Sequence, residues 1–206
     1  MSAHAPGFTG FQAELRRYLQ CKRPLFPPQF NDVVADVVMF TSSSLRDGFQ
    51  IALANIAANT KVWPDRSFIQ VCDAIVEHHI RDIKSTEKEL VGKSLFEAYI
   101  HFAGPQHAFE HVSRTRFTRS LRRRGAKGFA ATFLSLHLFN MVCREICEDV
   151  TARMPDQQSY ELYMFGVEAM CRDVVAHAME LADGEVNGRW GAEIVSAIEA
   201  QLLPVG

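Results

Sequence analysis

An all-α fold, a compact bundle or globin-like stack of seven to eight helices around a central buried helix at residues 129–153, is predicted by three features of the sequence. Apolar residues recur at spacings of three and four almost throughout, the period of helices that each turn one face to a core. Alternating apolar and polar runs bounded by hairpin turn signals do not occur. From Phe129 to Cys143 the chain is apolar on every side, and it then narrows to Cys143, Ile146, Cys147 and Val150 opposite Glu145, Glu148 and Asp149. That segment enters the core and emerges at its far end.

The elements follow in order. Thr9–Gln20 carries Phe11, Leu15, Tyr18 and Leu19 on one side and ends before the proline-containing stretch Lys22–Gln29. A short helix is expected over Asn31–Phe40, with the hydroxyls of Ser42, Ser43 and Ser44 capping a further helix to Asn59. Trp63 and Pro64 announce the next start, since proline at the first helical position loses no hydrogen bond, and Phe68, Cys72, Ile75, Val76, His79 and Ile83 form its inner face. Thr86 and Glu89 have capping-box spacing and open a helix through Leu90, Phe96, Tyr99 and Ile100, stopped by Gly104 and Pro105.

Between Gln106 and Arg124 the apolar phase shifts: Phe109 and Val112 share one face, Phe117 and Leu121 another, so a break is expected near Ser113. Phe129–Met154 and Gln158–Ala182 are the two long helices. The turn Met154–Asp156 joins them as an antiparallel pair, and Gly184 stops the second. A last helix runs over Arg189–Leu203 to Pro204. No period of repetition is present, which excludes a solenoid.

At 206 residues and 48% hydrophobic the chain can build one core, so residues 1–206 are expected to form a single helical domain with a flexible start at 1–8. The apolar window 129–143 is shorter than a membrane span and holds Thr132, Ser135, His137 and Asn140, so no membrane association is expected. The five cysteines are odd in number and sparse, and Met1–Gly10 lacks a basic-then-apolar leader. A cytoplasmic location with reduced thiols follows.

Four places carry chemistry. His107-Ala108-Phe109-Glu110-His111 resembles the H-x-x-E-H pattern of inverzincin metallopeptidases: His107 and His111 stand one helical turn apart, as two divalent-metal ligands do, and Glu110 has the place of a general base. A further ligand is missing, with Glu185 alone near the expected spacing and in a turn. Second, Arg114, Arg116, Arg119, Arg122, Arg123, Arg124 and Lys127 concentrate seven of the 22 Lys and Arg residues. Arg116, Arg119 and Arg123 form one helical stripe, which with Lys127 and the glycines 125 and 128 suits an anion. A net charge of −2 excludes nucleic-acid binding by the molecule as a whole, leaving a local contact through 114–127.

Third, His137, Asn140, Arg144 and Glu148 run as a polar stripe along the apolar central helix, with His177 of the partner helix beside them, the layout of a small ligand pocket. Fourth, His137 alone among Phe133, Leu134, Leu138 and Phe139 is the setting of a haem axial ligand, although no C-x-x-C-H attachment exists. Hydrolase elbows, phosphate-binding loops and dinucleotide fingerprints are absent. The expectation is a non-catalytic regulatory or binding domain holding a small molecule or protein partner, and the wide apolar faces also admit a homodimer. A haem- or metal-binding protein and an anion or nucleic-acid contact remain the alternatives.

Overall fold

A computed structural model describes residue 19 and residues 24–56, 67–104, 111–182 and 189–202. These residues form seven helices and no strand: α1 (Phe30–Arg46), α2 (Phe49–Ile56), α3 (Phe68–His79), α4 (Ser85–Ala103), α5 (His111–Arg153), α6 (Gln157–Leu181) and α7 (Trp190–Leu202). Thr9–Gln20 lies outside the described residues except for Leu19, which is buried. Trp63, Pro64 and Gly184 lie outside them as well.

The second half of α5 is the axle. No residue from Gly125 to Cys143 is exposed, and Arg144 is the first that is. α4, α1 and α6 pack around it, and α7 bridges α6 and α1. One continuous apolar cluster draws residues from all seven helices, with Phe30, Tyr99, Phe102, Phe117, Phe129 and Phe133 among its largest members. No helix of the described residues is long and apolar enough to cross a membrane.

Three local expectations are corrected. Ser42–Ser44 do not cap a new helix, because α1 runs through them to Arg46. Ser43 Oγ donates to Asp47 at the end of that helix at 3.0 Å, and the buried Ser44 hydroxyl has no partner among the described residues, so neither caps a following element. α4 likewise starts after Lys84, without a side-chain cap, so Thr86 falls inside the first turn. A reciprocal capping box is found instead at α3, where the Ser67 hydroxyl and Gln70 side chain each serve the other's backbone amide.

The third concerns the phase shift in the basic segment. Ser113 sits within α5, and the break comes at Gly125 (φ 73, ψ 174). An unbroken helix would set Phe117 and Phe129 about 18 Å apart along the axis and roughly 120° apart around it. Their ring centroids are 6.1 Å apart, because residue 125 turns the first arm of α5 (111–124) back on the second (126–153). That backbone conformation is essentially restricted to glycine.

At the other end of the core α7 crosses α1 at Gly191. A Cβ there would stand 3.0 Å from the Asn31 carbonyl oxygen and 3.3 Å from the Ala35 nitrogen, so the crossing depends on a missing side chain. The Leu25 amide donates to Glu199 Oε1 of α7 at 3.1 Å and ties the segment before α1 to the same helix.

Candidate functional site

α4 and the second arm of α5 lie side by side, and their outer edges diverge into a groove of about 590 Å³. Phe96 and Ile100 of α4 and Leu136 and Phe139 of α5 give it apolar walls, with Phe68 and Ile69 of α3 adding to them. The first four do so by spacing: 96 and 100 are one turn apart on α4, and 136 and 139 on α5. Glu97 and Asn140 stand at one place on the rim, His101 of α4 and Glu168 of α6 at another.

The polar groups are held in place. Asn140 Nδ2 donates to Glu97 Oε2 at 2.6 Å and to Ser94 Oγ at 3.1 Å. Ser94, fully buried, donates to the Leu90 carbonyl at 2.8 Å and lies 3.3 Å from His137 Nδ1. Its single hydrogen is thus committed to Leu90, which leaves Nδ1 of His137 as the donor in the Ser94–His137 pair. Burial, with the Arg144 charge adding, pushes the His137 imidazole down to about 3, so the ring is neutral. At the other side of the rim Arg172 Nη2 donates to Glu168 Oε1 at 2.6 Å. Partial burial, together with Arg124 and Arg172, lowers His101 from the ordinary histidine range.

Of the predicted pocket stripe, the structure brings His137 and Asn140 together through Ser94. Asn140 faces the groove. His137 is behind it, with ring centroids 4.6 Å from Phe30 and 5.9 Å from Phe26 in stacked contacts, not among the groove's walls. Arg144 sits at the surface between Glu87 (3.7 Å) and Glu145 (3.4 Å), and the side chain of Glu148 lies outside the described residues. His177 is on the exposed side of α6, 3.6 Å from Glu180 of its own helix. His107, Glu110 and the side chain of His111 lie outside the described residues, and among the described residues no three His, Cys, Asp or Glu groups gather as metal ligands.

The basic arm is divided. Arg119 lines a second cavity, Arg123 faces solvent, Arg116 passes beside Gly104, and Lys127 is half-buried beyond the turn. Arg124 lies over the Phe102 ring at 4.4 Å and donates to Thr132 Oγ1 at 2.9 Å, a structural role at the corner of α5.

A further network, buried at His79 and Tyr99 and reaching the surface at Asp36, was not foreseen. Asp36 of α1 accepts from Nδ1 of His79 at 2.5 Å, and the Tyr99 hydroxyl pairs with Nε2 at 2.9 Å. Burial raises the Tyr99 phenol far above its ordinary value, so it keeps its proton. Burial opposes ionisation of Asp36, but the hydrogen bond and charge of His79, with His78 and Arg81, outweigh it and lower the carboxyl. Phe40, Phe117 and Phe129 pack around Tyr99, which makes this a tie between α1, α3 and α4 in the core.

Ser94, Glu97 and His101 escaped sequence reading, although their spacing of three and four places them on one face of α4. That stripe was the available signal. The chain matches no protein-family model, no curated protein and no solved structure.

Proposed function

We propose that this chain is a non-catalytic binding domain that holds a small, mostly apolar molecule in the groove between α4 and α5. The observation that carries the reading is the groove itself. Its volume of about 590 Å³ lies within the range of roughly 300–1,000 Å³ in which small-molecule sites fall. Its composition fits too: Phe96, Ile100, Leu136 and Phe139 offer apolar area, while a few polar groups at the rim are positioned to orient a ligand. The carboxylates of Glu97 and Glu168 favour a ligand whose polar end donates hydrogen bonds.

Binding is favoured over turnover because the polar groups at the rim are engaged with one another. Asn140 is spent on Glu97 and Ser94, and the Ser94 hydroxyl on the Leu90 carbonyl. A regulatory role requires a reader of the bound state. Leu162 and Phe165 of α6, 66% and 67% exposed and one turn apart, favour a protein partner or a second copy of the chain for that part. A cytoplasmic setting is the matching proposal for Cys72 and Cys171, buried cysteines held in no disulfide among the described residues.

The test uses Nile red, a neutral apolar dye, titrated into the full chain, with native mass spectra of the freshly purified protein beside it. Saturable binding of one dye per chain that is lost in Ile100→Trp, which fills the groove from one wall, supports the reading. Dye binding that Ile100→Trp leaves unchanged in a folded protein overturns it.

A further inference from the structure

The second cavity lies on the opposite arm of α5 and has a different chemistry. It measures about 620 Å³ and opens between the first turn of α2 and the first arm of α5. Arg114, Arg119 and Arg122 line it, with the hydroxyls of Thr115 and Thr118 between them. Residues 115, 118, 119 and 122 fall within about 100° around a helix, so one face of the arm carries two guanidiniums and two hydroxyls. This is a different stripe from the expected Arg116, Arg119 and Arg123. Only Arg119 belongs to both.

The charges on this face are not cancelled within the cavity. Asp47 is the one carboxylate among its lining residues, and it is already engaged: Arg46 donates to it from Nε at 3.0 Å and Nη2 at 2.9 Å, and Ser43 from its hydroxyl at 3.0 Å. These bonds hold Asp47 below the ordinary carboxylate range. Arg119 and Arg122 have no ion pair among the described residues. The opposite wall, Gly48 to Ile51, is the start of α2, with no acidic residue in its first turn, so backbone amides add partial positive charge there.

We infer that this cavity is a binding site for a phosphate group carried by a small ligand, a phosphate monoester or diphosphate gripped by Arg119 and Arg122. Guanidiniums meet phosphate oxygens in pairs, and the Thr118 hydroxyl adds a donor. The concavity takes a compact anion. Phe49 is the sole aromatic among the lining residues, and it is buried against Phe40, Phe68 and Phe117. No ring is offered for a base to stack on, which separates this site from a nucleic-acid groove.

Isothermal titration of the full chain with pyrophosphate, and sedimentation with phosphatidylcholine vesicles containing phosphatidic acid, test the site and separate a free phosphate from a lipid headgroup. Binding of either probe that falls roughly tenfold or more in Arg119→Gln and in Arg122→Gln, and is retained in Arg123→Gln, supports the inference and names the source. All three arginines are exposed, so thermal melts of the variants should match the parent. Binding of neither probe overturns the inference. So does binding that survives in the double variant R119Q/R122Q, or that Arg123→Gln weakens equally.

Discussion

Replacing Gly125 by alanine puts the corner of α5 to the test. Residue 125 has φ 73 and ψ 174, a conformation that costs a residue with a Cβ on the order of 1–3 kcal/mol. No atom lies within 4 Å of the added methyl, so the cost is in the backbone alone. Alanine also stiffens the unfolded chain, which returns roughly 0.4–1 kcal/mol. The difference, roughly 1–2 kcal/mol, corresponds to a melting point lower by roughly 2–8 °C in a protein of this size. Urea unfolding followed by circular dichroism measures it. A variant as stable as the parent or more so, with greater helicity, would mean that the helix continues through residue 125. Phe117 and Phe129 would then be too far apart to pack, and the turned-back arm would be refuted.

Three other outcomes are expected. Gly191→Ala should lose about 1 kcal/mol or more by urea unfolding although alanine is the better helix former, because the atoms it meets, the Asn31 oxygen and Ala35 nitrogen, are backbone that cannot rotate away; a gain in stability would place α7 elsewhere. Tyr99→Phe leaves Nε2 of the buried His79 without a partner and should cost about 1–3 kcal/mol in the same assay, whereas no change would detach Tyr99 from the Asp36–His79 pair. For His137 the folded ring takes up its proton only at about 3, whereas the unfolded ring does so near 6.5. The unfolded state therefore binds more protons as pH falls below that value, and stability declines by up to about 1.4 kcal/mol per pH unit. His137→Phe should flatten the change in urea midpoint between about pH 7 and pH 5, and an unaltered slope would show that His137 does not titrate in this way.

Periodicity carried the helices because each buries a stripe, and a stripe is written in consecutive residues. The central segment was legible from Phe129 to Cys143 for the same reason. Ends were harder. Ser42–Ser44 resemble a cap as a string of letters, but whether a hydroxyl bonds forward to a new helix or back to its own depends on where α1 finds its packing partners. The changed phase of Phe117 and Leu121 did not locate the break in α5, since both lie on the same arm as Ser113. The position of the break at Gly125 depends on the contact of Phe117 with Phe129, which no local window holds. The same division applies to the groove. Asn140 and His137 stood out as polar residues in an apolar helix, while Ser94 and Glu97, ordinary in the composition of α4, acquire meaning only when α5 lies against them. Arg119 and Arg122 acquire theirs from α2, more than sixty residues away in the chain.

The crossing of α7 over α1 also sets a timetable for synthesis. The face of α1 that receives Gly191 leaves the ribosome some 150 residues before α7 does. At about 5–20 residues per second that is a delay of roughly eight to thirty seconds. Throughout it Val34 and its neighbours have no permanent cover. A nascent chain stalled before residue 190 would leave that strip of α1 without the cover that α7 gives it.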